Sequence, residues 1–163
     1  MGFLGATIGG GRAGKLLSES TLQTIEVRSS PDRCFEVAAN VEDYPEWVGG
    51  VREVEVLDRD DQGRPARATL VMDAIIRQIK VTLLYDYDPP RTIRWTAEPG
   101  QDIRELDGSY EFHEIKKGTE VVYMLRVVPS FNVPGFLRNQ AEKQIVGMAL
   151  RGLRSRVEDT EDT

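Results

Sequence analysis

PGFLRNQAEKQIVGMALRGLRSRVE, residues 134–158, decides how this chain folds. Set at 100° per residue, Leu137, Ala141, Ile145, Met148, Ala149, Gly152 and Leu153 fall on one side. Lys143, Gln144, Arg151 and Arg154 fall on the other. The pattern predicts one long amphipathic helix. Pro134 stands where a helix start tolerates proline, and Val157 closes the apolar stripe before the acids Glu158, Asp159, Glu161 and Asp162. Almost everything ahead of this helix alternates as strands do, so the helix is what a sheet must close upon.

Working back from it, Thr119–Val128, Ile103–Ile115, Thr92–Glu98, Ile79–Tyr87, Ala66–Arg77 and Val51–Asp58 are rich in β-branched and aromatic residues, and most show period-two alternation. Lys116-Lys117-Gly118, Pro99-Gly100, Asp88-Pro89-Pro90 and Asp60-Asp61-Gln62-Gly63 fill gaps short enough to force antiparallel neighbours. Only the junction near Gln78 lacks a turn signal. Thr21–Ser30 adds a half-buried strand, with Leu22, Ile25 and Val27 opposed by Gln23, Glu26 and Arg28. Ser30-Pro31-Asp32 then caps a short helix with Cys34, Phe35, Val37, Ala38 and Val41 as its apolar face. A second helical turn at Asp43–Trp47 stops at Gly49-Gly50.

The prediction is an α+β domain: a seven-stranded antiparallel curved sheet wrapped around a long C-terminal helix, with two short helices between strands 1 and 2. One helix cannot fill the concave side of seven strands, so a cavity between them is expected. Residues 1–20, with six glycines, read as a flexible arm, 21–158 as one domain, and 159–163 as an acidic tail. Within the arm Gly9–Lys15 approaches a phosphate-binding loop, but Leu16 replaces the Ser or Thr that would hold magnesium. Ala6 likewise breaks a myristoylation pattern.

Composition sets bounds. The chain has 163 residues, enough for one real core, and a formal net charge of -6. That charge gives no overall attraction to phosphate backbones, so no nucleic-acid partner is expected. Arg151, Arg154 and Arg156 read as a solvated helix end rather than a basic footprint. Cys34 is the single cysteine, which provides neither a disulfide framework nor a thiolate cluster. No apolar run is long enough to span a membrane, and no secretory signal is legible, so a cytoplasmic protein is expected. With one histidine and one cysteine, neither a metal site nor a bound cofactor is expected.

The element order and several stretches resemble the START-like, helix-grip superfamily, within it the polyketide cyclase/dehydrase branch that includes the coenzyme Q-binding proteins. Carrying the likeness are Ser30-Pro31 with Phe35 and Val37, and Val41-Glu42-Asp43-Tyr44-Pro45-Glu46-Trp47 leading into Val51–Val56. Tyr87-Asp88-Pro89-Pro90-Arg91-Thr92-Ile93, Leu106–Phe112 and Gly118-Thr119-Glu120-Val121 continue it, over roughly residues 22–157. The resemblance implies an apolar or aromatic ligand under the long helix and, in a minority of members, cyclisation or dehydration of polyketide chains. Coenzyme Q-binding relatives usually carry Gly-Pro-Phe-Lys where this chain has Gly100-Gln101-Asp102-Ile103, a departure that tells against a quinone.

Strand parity turns His113 away from Leu106, Tyr110 and Phe112, making the only histidine a surface group and a poor general base. No catalytic residue is assigned. The predicted ligand-binding set is Trp47, Met72, Tyr85, Trp95, Tyr110, Tyr123, Phe131, Phe136 and Met148, with Trp47 at one rim and Phe131 and Phe136 at the other. Asp73, Arg77, Arg104 and Arg126 interrupt apolar strands. Parity favours an outward Asp73 and Arg77, and Glu26 would be available to an inward Arg126. Ala141, Ala149 and Gly152 mark either a close approach to the sheet or space for a guest, the second being favoured. The reading is a binder of a hydrophobic or aromatic small molecule (lipid, quinone or polyketide type). The alternatives are a polyketide cyclase/dehydratase working in the same cavity and a protein-interaction module. Homodimerisation is left open.

Overall fold

The computed structural model describes residues 20–74 and 77–161, with side-chain burial up to residue 159. The arm, apart from Ser20, and the last two residues of the acidic tail lie outside the described residues, so the readings of Gly9–Leu16 and Ala6 fall there too.

Strand β1 (Thr21–Val27) leads into α1 (Pro31–Ala39), whose start the sequence dictates: Ser30 Oγ accepts a hydrogen bond from the Arg33 amide at 3.2 Å, and Pro31 takes the first turn. A 3₁₀ turn (Val41–Asp43) and α2 (Tyr44–Trp47) follow. Then come β2 (Val51–Arg59), β3 (Pro65–Asp73), β4 (Gln78–Asp88), β5 (Thr92–Ala97), β6 (Ile103–Ile115), β7 (Gly118–Pro129) and α3 (Gly135–Glu161). The seven strands form one sheet in the order β1-β7-β6-β5-β4-β3-β2, every neighbouring pair antiparallel. This is the helix-grip arrangement that the spacing predicted. No described helix is long and apolar enough to cross a membrane.

Two elements differ from the expected outline. Strand β3 stops at Asp73 rather than Arg77, because the chain reverses there: the Ala74 amide donates to the Arg77 carbonyl at 3.0 Å. Apolar residues at this reversal disguised it as strand. The buried stripe of α3 is also wider than an amphipathic reading allows. Besides Ala149, Leu153 and Val157 it buries Val146 and Leu150, because α3 packs against β1 and β7 on one side and α1 and α2 on the other. Arg156 joins that second contact, its Nη2 lying 3.0 Å from Glu46 and 3.4 Å from Asp43.

Register builds the concave face. Ile93 pairs with Tyr110 and Tyr110 with Tyr123, while Tyr85 pairs with Trp95 and Trp95 with Gly108. Cross-strand partners share a face, so these aromatic residues converge. Gly108 makes room for the indole: a Cβ there would lie 2.2 Å from Trp95 Nε1 and Cε2.

Candidate functional site

Between this face and α3 lies a cavity of about 100 Å³. Its wall is apolar, formed by Leu70, Ile79, Val81, Leu83, Leu106 and Leu125 from the strands and by Ala141, Ile145 and Ala149 from α3. Tyr85, Trp95, Tyr110 and Tyr123 form a connected aromatic cluster on the sheet side. The Trp95 ring centre is 6.0 Å from Tyr85, 5.5 Å from Tyr110 and 5.4 Å from Tyr123, and Tyr110 and Tyr123 meet edge to face at 4.7 Å. The hydroxyls of Tyr85, Tyr110 and Tyr123 have no hydrogen-bond partner among the described residues. Burial holds all three phenols above their ordinary pKa, so they remain protonated donors. Tyr44, which also lines the cavity, differs in donating to the Ala38 carbonyl at 2.5 Å.

At the mouth four connections meet. Arg77, between β3 and β4, lies 4.6 Å from the Phe131 ring centre, and its Nη2 is 2.6 Å from Asp102. Asp102 accepts from the Lys80 amide at 2.9 Å through its side chain and from the Ser130 amide at 3.0 Å through its carbonyl. The β5–β6 turn therefore holds both Arg77 and the β7–α3 loop in place.

The polar end of the cavity is on α3. Glu142 is 1% exposed, and both carboxylate oxygens are occupied: Thr21 Oγ1 donates at 2.9 Å and the Val127 amide at 2.7 Å. Strand β1 begins pairing with β7 at Leu125, so the carboxylate serves an amide that β1 does not reach. Burial raises the Glu142 pKa, outweighing the bonds and the nearby Arg138 and Arg126 charges, which lower it. A raised folded-state value makes protonation stabilising. That contribution is complete below the ordinary value of 4.5 and is lost as pH rises through the folded value. Glu142→Gln keeps the geometry of the protonated form, so in urea unfolding the variant should gain on the wild type as pH rises across that window. A stability difference independent of pH would refute the assignment.

Six of the nine residues expected to bind ligand line the cavity: Met72, Tyr85, Trp95, Tyr110, Tyr123 and Phe131. The other three stand elsewhere. Trp47 packs on Tyr44, with ring centres 5.1 Å apart, and its carbonyl presses on Gly152 of α3. Met148 covers the Gly49-Gly50 turn, and Phe136 is 71% exposed. The places of Trp47 and Met148 follow from how tightly α3 packs on α2 and the turn after it, which helical spacing alone does not reveal. The small residues accordingly divide: Ala141 and Ala149 border the space, while Gly152 marks a close approach, to α2 rather than to the sheet.

His113 is exposed beside Glu111, its Nε2 2.9 Å from Oε1. Arg126 faces away from the cavity, paired with Asp107 at 2.9 Å and Glu105 at 2.6 Å rather than with Glu26. Asp73 pairs with Arg52 at 2.8 Å, Arg104 is exposed, and Arg77 reaches the mouth. Sequence reasoning passed over Glu142 and Arg138. Their only signal was a place at helical spacing from Ala141, Ile145 and Ala149.

Residues 27–154 match the family described as polyketide cyclase / dehydrase and lipid transport. The chain belongs to that family. No curated protein sequence matches the chain significantly. Similar solved structures include a START superfamily protein from Mycobacterium smegmatis, with a TM-score of 0.79 at 19% identity, covering 86% of this chain and 98% of that one. An aromatase/cyclase from Streptomyces sp. R1128 has a TM-score of 0.75 at 18% identity, covering 85% and 93%. A STAR-related lipid transfer protein from Xanthomonas axonopodis has a TM-score of 0.67 at 19% identity, covering 85% of each. At these identities the likenesses establish the fold, and family membership establishes a ligand-binding scaffold of the START and polyketide cyclase type.

Proposed function

We propose that this chain binds a hydrophobic or aromatic small molecule between its sheet and α3. The observation that carries this reading is an apolar cavity edged by three phenols with no protein partner among the described residues. Three phenol donors facing one apolar space without protein acceptors favour a guest that is apolar over most of its surface and carries acceptor oxygens. The cavity, about 100 Å³, is smaller than the roughly 150 Å³ that holds benzene in an engineered core. A lipid or polyketide would therefore enter only as the mouth at Arg77 and Phe131 opens, with the loop between Pro129 and Pro134 as the hinge.

Turnover in the same cavity is the second reading. Phenols kept protonated could polarise a ketone and assist enolisation and loss of water, which is the chemistry suggested by the aromatase/cyclase name among the similar structures. Native mass spectrometry after incubation with a hydrophobic extract of the host tests both readings. Retention of a defined molecule is expected, and a species lighter than its precursor by one water would mark turnover. Ala141→Phe, which fills the cavity from α3, should reduce retention at least tenfold. Equal retention by that variant would place the ligand elsewhere, and a bare wild type would remove the binding reading.

A further inference from the structure

Arg138 is the group on α3 that the cavity leaves unserved. It lines the cavity with Ala141, Glu142 and Ile145, its Nε is buried, and that atom has no hydrogen-bond partner among the described residues. No ion pair engages its guanidinium among the described residues either. Glu142, four residues on, is near enough to feel the charge but gives both oxygens to Thr21 and Val127. The other lining guanidinium, Arg77, is already held by Asp102. With Arg77 paired to Asp102 and Glu142 engaged by Thr21 and Val127, Arg138 is the lining cation without a carboxylate partner among the described residues.

Arg138 is half-buried with its Nε fully covered and lacking an acceptor, and an anion reaching the guanidinium from the cavity would supply one. We infer that the ligand is an apolar acid: a single carboxylate seated on Arg138, with a hydrocarbon or aromatic body lying toward Trp95, Tyr110 and Tyr123. The placement is consistent on both sides. Tyr110 and Tyr123, 2% and 7% exposed, carry hydroxyls without partners among the described residues, so they can donate to further oxygens of the same guest. Glu142, turned toward β1 and β7, leaves the guanidinium's cavity side to the incoming acid. A polyanionic headgroup is disfavoured, because one guanidinium without a carboxylate partner in an apolar space balances one negative charge.

This inference rests on the ligand-binding reading, and the experiment separates the two. The full chain is titrated calorimetrically at neutral pH with two matched pairs of probes, naphthoate against naphthalenemethanol and decanoate against decanol. The acid of at least one pair is expected to bind about tenfold or more tighter than its alcohol. Arg138→Gln should weaken that acid by about tenfold to a hundredfold and leave the alcohol within about twofold. Alcohols binding as tightly as acids, or an unchanged acid affinity in the variant, would overturn the inference while leaving the cavity reading intact. If no probe of either shape binds, both fall. Should Arg138→Gln fold poorly, the acid-to-alcohol ratio of the wild type decides by itself.

Discussion

Truncating Trp95 to alanine will lower stability by about 3–5 kcal/mol, the range for removing a large buried aromatic side chain. The indole is 6% exposed, touches Tyr85, Tyr110 and Tyr123, and lies flat over the bare backbone of Gly108. None of these neighbours can collapse into the vacated volume. The three tyrosines are fixed by their strands, and Gly108 has no side chain to offer. The new space will therefore join the existing cavity instead of closing, and the variant should admit bulkier aromatic probes than the wild type while binding small ones less tightly. Urea unfolding followed by circular dichroism measures the first effect, and a probe series of graded ring number the second. A stability loss below about 1 kcal/mol would mean that Trp95 is not packed as described.

Gly152 provides the second large effect, and there two physical tendencies oppose each other. In a helix interior alanine is favoured over glycine by about 1 kcal/mol, so propensity alone makes Gly152→Ala stabilising. Yet a Cβ at this position would sit 2.2 Å from the Trp47 carbonyl oxygen, and that obstacle is backbone, which no rotamer change can relieve. Overpacking that displaces backbone costs about 1–3 kcal/mol, so the contact prevails: Gly152→Ala is expected to lose about 2 kcal/mol and Gly152→Val more. Arg156 will add to the strain, since it ties the next turn of α3 to Asp43 and Glu46 and resists any retreat of the helix. Thermal melts of the two variants suffice, and an alanine variant more stable than the wild type would exclude the close approach.

The architecture was legible because period-two alternation, a proline-started helix and glycine-bearing turns are local signals, and all pointed to the same sheet. Strand β6 carried both of its ends in the sequence, from Ile103 to Ile115. What stayed hidden depended on contacts between distant elements. Trp47 and Met148 read as cavity residues because they are large and apolar, but α2 and α3 press together closely enough to take them out of it. Glu142 and Arg138 went unremarked, since nothing in the sequence says that β1 stops short of Val127 or that the Arg138 Nε is buried in the folded chain. Parity placed the tyrosines on the inner face, but whether their hydroxyls would find partners could be known only once the opposing helix was in place.

The contact between Gly152 and Trp47 gives α3 two unlike halves. Its C-terminal half is clamped backbone to backbone, whereas its N-terminal half bridges empty space and is fastened by the Glu142 bonds and the mouth. Such a helix works as a cantilever: the fixed end sets how stably the molecule is folded, and under the proposed binding function the free end would set how readily a guest is exchanged. Because the two properties would reside in different residues of one element, the proposed affinity is expected to be retunable at its tip without weakening its root.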